Sequence, residues 1–172
     1  YYNSGKLESK ENYKDGKLEG LKETYYNSGK LESKENYKDG KLDGLSESYF
    51  ENGQLKSRGN HVDGTGTSET YYENGQLKTE SIFSEGEEMG VTKYIYYPNG
   101  KLNEKEYFQN GIITMDRSYY QNGQLEYERK YSKDGKYWEG LRSYYNEDGT
   151  LKGEYCVKNG RDQYSDFSYC KK

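Results

Sequence analysis

Residues 1–24 read YYNSGKLESKENYKDGKLEGLKET, and residues 25–48 read YYNSGKLESKENYKDGKLDGLSES. Twenty-one of the 24 positions are identical. A fixed period of this length constrains the architecture before any other signal, because each copy must bury its apolar face against the next. The Tyr1-Tyr2 mark returns as Tyr25-Tyr26, Tyr49-Phe50, Tyr71-Tyr72, Tyr96-Tyr97, Tyr119-Tyr120 and Tyr144-Tyr145, in steps of 24, 24, 22, 25, 23 and 25 residues. A glycine follows each mark: Gly5, Gly29, Gly53, Gly75, Gly100, Gly123 and Gly149. A second glycine comes 11 or 12 residues later: Gly16, Gly40, Gly64, Gly86, Gly111, Gly135 and Gly160. Seven units of 22–25 residues cover nearly the whole chain, and residues from about 161 to 172 read as a cap.

Each unit parses into two strands and two turns. The turns are Asn-Ser-Gly, Glu-Asn-Gly, Pro-Asn-Gly, Gln-Asn-Gly and Lys-Asp-Gly. Asn-Gly and Asp-Gly are strong hairpin signals, because these turns need positive φ and those residues tolerate it. The runs between them are about eight residues, a normal strand length. Pro98, the only proline, falls in a turn. No stretch carries a 3.6-residue apolar period of helix length. The expected fold is all-β, an elongated single-layer antiparallel β-hairpin solenoid, with residues 1–172 forming one repeat domain.

Stacking the units aligns like residues. Two positions after the first glycine stands leucine: Leu7, Leu31, Leu55, Leu77, Leu102, Leu125 and Leu151. Eight positions after it stand Tyr13, Tyr37, His61, Phe83, Phe108, Tyr131 and Val157. Such columns come into register on successive strands, where cross-strand pairs stabilise a sheet. In the second unit the structural columns are Tyr25, Tyr26, Gly29, Leu31, Tyr37, Gly40 and Gly44. Gly20, Gly44, Gly66 and Gly90 are candidate bulge sites, so the faces of the second strand stay unassigned. With 30% apolar residues, a mean hydropathy of −1.40 and 23 tyrosines, the chain lacks the material for a thick core. A sheet needing only small clusters per unit resolves that shortage.

The stretch YYNSGKLESKENYKDGKLDGL, and more loosely YYENGQLKTESIFSEGEEMG, resembles the bacterial MORN-repeat variant, including proteins of the YwqK antitoxin type. The resemblance rests on the Tyr-Tyr-x-x-Gly-Lys/Gln-Leu start, the Tyr/Phe-x-x-Gly middle and the x-Gly-Leu tail, and it covers all seven units. It implies antiparallel sheets built from successive hairpins and a role as an interaction scaffold. Two departures stand out. Met115 sits near the glycine column of the fifth unit, and the seventh has an extra residue in its first turn, Glu147-Asp148-Gly149.

Chemistry is sparse. His61, the only histidine, falls in the Tyr13 column, where it reads as an aromatic-slot filler. A general base needs a partner nucleophile, and the sequence offers no such pairing. Cys156 and Cys170 are too few for a zinc site. About 23 Å of strand would separate them along the last hairpin, so free thiols are expected. Among 30 carboxylates some neighbours arise by chance, so no glycosidase pair is inferred. Gly64-Thr65-Gly66 lacks the third glycine and the helix of a dinucleotide site. The Lys-Asp-Gly turns lack the alternating acids of a calcium loop. No catalytic, cofactor-binding or metal residue is assigned, and the chain reads as no enzyme.

Lys and Arg total 26 against 30 acids, for a net charge of −4 and pI near 5.3, with signs alternating along each strand. That pattern argues against nucleic acid and against anionic lipid as partners. No apolar segment is long enough for a membrane helix. The chain begins at Tyr1, so a mature or trimmed form is expected, of the bacterial cytoplasm or of a secreted or cell-surface protein. The partner expected is a protein held on a tyrosine-rich face, since Tyr supplies contact area at modest entropy cost. The divergent units carry the candidate surface: Tyr96, Tyr97, Tyr119, Tyr120, Trp138, Tyr144 and Tyr145. The alternative is a glycan-binding module of a surface protein. Such modules carry a stacking tryptophan in each unit, whereas Trp138 stands alone.

Overall fold

The computed structural model describes residues 1–163 and 170, and every regular element among them is a β-strand. The chain divides into two compact units, Tyr1–Met89 and Gly90–Lys172. In the first, β1 (Ser9–Lys10) pairs with β4 (Gly20–Tyr25). Next come β5 (Leu31–Lys38), β6 (Lys41–Tyr49), β7 (Leu55–Val62), β8 (Thr65–Tyr71) and β9 (Leu77–Ser84), each antiparallel to the one before. β2 (Tyr13–Lys14) and β3 (Lys17–Leu18) form a separate small hairpin. The second unit continues in the same manner through β10 (Glu87–Tyr96), β11 (Leu102–Gln109), β12 (Ile112–Tyr119) and β13 (Leu125–Lys130). It ends with β14 (Gly140–Tyr145), β15 (Leu151–Lys158) and β16 (Arg161–Gln163). The expected all-β antiparallel repeat fold is present, and neither ladder closes into a barrel.

The two glycine turns of a unit use different chemistry. At the second turn both central residues have positive φ, as at Asp39 (51°) and Gly40 (82°), which is the type I′ geometry matched to strand twist. At the first turn only the glycine does so. Its amide donates to the carbonyl three residues back, as Gly29 N to Tyr26 O at 2.7 Å. The preceding Asn keeps ordinary φ, and its side chain accepts the amide two residues on. Asn52 Oδ1 takes Gln54 N at 2.9 Å, and Asn122 Oδ1 takes Gln124 N at 2.9 Å. Lys133-Asp134-Gly135 follows the first-turn pattern although it stands at a second-turn position. Gly135 N donates to Ser132 O, and the Asp134 carboxylate accepts the Ser132 hydroxyl at 2.6 Å.

Variation in the repeat length is absorbed in the second strand. In the second unit of the sequence, Tyr37 faces Leu42 while Glu35 faces Ser46, so Asp43, Gly44 and Leu45 stand opposite Asn36 alone, a bulge of two residues, with Gly44 at φ 105°. The third unit is two residues shorter, and β7–β8 pairs without a break. Gly66 therefore hosts no bulge. It is needed for close approach, since a Cβ there would lie 2.0 Å from the Asn60 carbonyl oxygen. In the fifth unit one residue bulges, Thr114, because Tyr107 faces Met115 and Phe108 faces Ile113.

Two expectations are corrected. In the seventh unit Tyr145 faces Leu151 as Tyr25 faces Leu31, so Tyr145-Asn146 is the mark in register. Asn146 N donates to Thr150 O as Tyr26 N does to Lys30 O, and the turn has ordinary length. The extra residue lies before the mark. The cysteines are not free thiols: Cys156 and Cys170 form a disulfide with Cα atoms 5.9 Å apart. The 23 Å expectation assumed that the chain stays extended beyond β16, whereas Cys170 lies back beside β15. The rest of the expected cap, residues 164–169 and 171–172, lies outside the described residues.

The core is thin. Among the described residues the buried apolar side chains are Cys156 and Val157, while Ser33, Glu47, His61, Ser81, Asp116 and Ser118 are buried and polar. The buried carboxylates survive burial because opposite charges face them, Lys34 and Arg58 at Glu47 and Arg129 at Asp116.

Candidate functional site

The tyrosine marks hold successive repeats together. The hydroxyl of the second tyrosine donates to the backbone carbonyl of the first tyrosine one repeat on. Tyr2 reaches Tyr25 O at 2.6 Å, Tyr26 reaches Tyr49 O at 2.6 Å, Tyr97 reaches Tyr119 O at 2.8 Å and Tyr120 reaches Tyr145 O at 2.9 Å. The first tyrosine turns its hydroxyl to the carboxylate two residues back: Tyr25 to Glu23, Tyr49 to Glu47, Tyr71 to Glu69. Burial raises the phenol pKa of Tyr26, with the charges of Glu32 and Glu51 adding to it, and raises that of Tyr49, with its bond to Glu47 adding to it. Tyr37 is pushed up to about 12, by burial first and then by its bond to Glu35.

Register also builds a charge ladder. Lys10 faces Glu23, Glu23 faces Lys34, Lys34 faces Glu47, and Glu47 faces Arg58. Glu47 is the buried member, with 7% side-chain exposure, and binds Lys34 at 2.9 Å and Arg58 at 2.9 Å. Hydrogen bonds from Lys34 and Tyr49 hold its carboxyl down to about 2. In the second unit the equivalent pair is reversed in sign, Arg117 to Glu128 at 2.7 Å.

Of the expected partner surface, Tyr97 and Tyr120 are the hydroxyl tethers just described. Tyr119, whose carbonyl takes the Tyr97 bond, has its phenol pKa raised chiefly by burial, and Tyr96 is half-buried at the end of β10. Tyr144 packs edge-on to Tyr155 at 5.7 Å and tilted to Tyr127 at 6.1 Å. Trp138 has the guanidinium carbons of Arg129 and Arg142 at 4.9 and 4.5 Å from its ring. Arg129 also grips Asp116, which is 1% exposed, through Nε at 3.0 Å. Asp116 is thus held as a carboxylate in an ion pair, and burial, followed by the Asp116 charge, raises the pKa of neighbouring Glu104.

A different feature lies in the first unit, where sequence reasoning assigned no site. Tyr37, Leu42, His61, Ser68 and Phe83 line an open hollow of about 530 Å³. It sits on one face, since Gly44 faces His61, His61 faces Gly66, and Gly66 faces Phe83. His61 is 7% exposed, packs edge-on against Phe83 at 5.7 Å, and has no hydrogen-bond partner for its ring among the described residues. The readable signal is a double change. Where the first two units carry Glu11-Asn12-Tyr13 and Glu35-Asn36-Tyr37, the third carries Gly59-Asn60-His61. A Cβ at Gly59 would lie 2.6 Å from His61 Nε2, so the imidazole folds over the glycine. Among the described residues no serine hydroxyl is hydrogen-bonded to His61. No group of three or more metal-ligating side chains occurs among the described residues.

The family model of the MORN repeat variant matches residues 1–15, 18–39, 42–63, 65–85, 91–110, 117–136 and 138–159. The chain belongs to the MORN repeat variant family. This family supplies a repeat scaffold, and the hairpins and marks above are its units. No curated protein matches the chain. Among solved structures it is similar to the crystal structure of TarM, a protein of S. aureus, at 13% identity and TM-score 0.31, over 70% of this chain and 19% of that one. It is also similar to the GtfA/B complex bound to UDP and GlcNAc, at 11% identity and TM-score 0.26, over 66% and 22% of the two chains. A Bacteroides fragilis protein of unknown function matches at 13% identity and TM-score 0.14, over 92% and 97%. The MORN repeat variant thus spans about a fifth of the length of the TarM chain.

Proposed function

We propose that this MORN repeat variant is a non-catalytic scaffold whose tyrosine-rich β surface binds a partner protein, as in antitoxin-like capture. The observation that supports this most is the tethering of tyrosine hydroxyls to the chain itself, as at Tyr97–Tyr119 and Tyr120–Tyr145. A tethered ring has already lost its rotamer freedom, so a partner gains apolar contact without that ordering cost. The expected surface is Tyr96, Tyr97, Tyr119, Tyr120, Trp138, Tyr144 and Tyr145. The glycan reading is disfavoured because the one tryptophan already has two guanidinium groups against its ring. The test is capture from native lysate and envelope fractions on the immobilised chain, followed by calorimetry with the purified candidate. A saturable complex with one protein, weakened by Tyr144→Ser in a folded variant, supports the reading. Retention on purified cell-wall glycan that grows with repeat number, with no protein captured, refutes it.

A further inference from the structure

We propose that the hollow around His61 is a receptor for a basic side chain, a lysine or arginine of the partner protein. This inference rests on the partner-protein reading and names what one part of that partner inserts. The repeat itself supplies the template. Three positions before the first tyrosine of the marks in register stand Lys22, Ser46, Ser68, Lys93, Asp116 and Arg142. Where this position is basic, the cation lies against a carboxylate or an aromatic ring. Lys22 pairs with Glu11 at 3.4 Å, Lys93 Nζ lies 4.1 Å from the centroid of the Phe108 ring, and the Arg142 guanidinium carbon lies 4.5 Å from the Trp138 ring. Asp116 is the exception in sign, and Arg129, directly across from it, brings the cation instead. The two serines belong to β6 and β8, the strands on either side of His61.

Phe83 and Phe108 share a column, and they make the comparison direct. Phe108 faces Val91, and Lys93, two residues on, covers its ring. Phe83 faces Gly66, and two residues on stands Ser68. The ring keeps its place while the cation is missing, and Phe83 and Ser68 both line the hollow. Charge favours the same occupant. Asp63 and Glu85, both exposed, stand in the lining, and among the described residues neither is ion-paired. Lys41 is the one basic residue beside them, so two carboxylates against one ammonium leave the mouth negative. The Tyr37 and Phe83 rings offer aromatic surface to an entering cation. The His61 imidazole is nine-tenths buried and has no ring hydrogen bond among the described residues, so its neutral form has a nitrogen to accept an N–H donor. The Ser68 hydroxyl is a second acceptor.

The experiment titrates the full chain with N-acetyl-arginine methylamide and with N-acetyl-lysine methylamide, followed by amide chemical shifts around the hollow and by the imidazole resonances of His61. Saturable shifts confined to these residues are expected, with a Kd on the order of 1–10 mM for ligands of this size. The citrulline analogue keeps the shape of arginine without its charge and is expected to bind roughly tenfold more weakly. Ser68→Lys copies Lys93 and places the chain's own cation beside Phe83, so it is expected to abolish the shifts. Asp63→Asn with Glu85→Gln changes two exposed positions, leaves the packing alone and is expected to weaken binding roughly three- to tenfold. Four results overturn the proposal: no saturation by either blocked amino acid, equal binding of the citrulline analogue, unchanged binding in both variants, or tighter binding of tetramethylammonium, which would make the hollow a site for a small organic cation. The captured partner separates the two readings. If it binds the Ser68→Lys variant as tightly as the native chain, the hollow is not its receptor while the scaffold reading stands.

Discussion

Replacing Tyr26 by phenylalanine removes one hydroxyl and leaves the ring. The hydroxyl donates to Tyr49 O at 2.6 Å, linking two repeats 23 positions apart. An intramolecular hydrogen bond of this kind contributes about 1 kcal/mol net, because water replaces it on unfolding. The Tyr49 carbonyl is left beside a bulge, where water can reach it, so the loss is expected at about 1 kcal/mol and not several. With a urea m-value of about 1–1.5 kcal/mol/M, the midpoint falls by about 0.7–1 M. Far-UV circular dichroism is the suitable probe, since Trp138 lies in the other unit and its fluorescence reports there. The chain carries its own control. Phe50 occupies the same position one repeat on and lacks the hydroxyl, so Phe50→Tyr is expected to raise stability by about 0.5–1 kcal/mol through a bond to Tyr71 O. A midpoint change below about 0.2 M in both variants would refute the tether argument, and with it the preorganisation that supports the proposed function.

Three further outcomes are expected. The carboxyl of Glu47 is lowered to about 2, so its contribution is complete above the ordinary carboxyl range near 4.3 and is lost as pH falls toward 2; Glu47→Gln lowers stability at neutral pH and flattens the acid limb of a urea-midpoint profile between pH 5 and 2. Arg117→Glu and Glu128→Arg each destabilise, and the double exchange recovers roughly 0.5–1 kcal/mol of coupling in a double-mutant cycle, reduced by salt because the side chains are 37% and 28% exposed. Reducing Cys156–Cys170 opens a link across 14 positions, which costs about 2–3 kcal/mol and moves the Trp138 fluorescence transition to lower urea; two thiols titrating in non-reducing denaturant would contradict the bridge.

Trp138 shows what a residue type alone leaves open. It counts with the expected partner surface, and in the structure Arg129 and Arg142 stand against its ring. Nothing in the spacing of 129, 138 and 142 announces that, because the longer turn at Ser132–Gly135 sets where the two strands meet. The His61 hollow was in principle readable: Gly59 and His61 stand where the first two units carry Glu and Tyr. Its meaning depended on knowing that positions two apart share a face in an unbulged strand, and the glycines left that open.

The sequence alone determined the repeat, the strands and the turns, because these rest on local chemistry. Asp39-Gly40 sets a type I′ turn, Asn52 caps its own loop, and a period of 22–25 residues returns each strand beside its copy. Tertiary structure alone decided the registers. Bulges of two, one or no residues in the second strand shift the pairing, and each one-residue slip exchanges the two faces of a strand. From those registers follow the ladder that buries Glu47 between Lys34 and Arg58, the reversed Arg117–Glu128 pair, and the site of Tyr145 in the first-tyrosine column. The disulfide belongs to the same class, since bringing Cys170 to Cys156 depends on the path of the chain after β16 and not on any local rule.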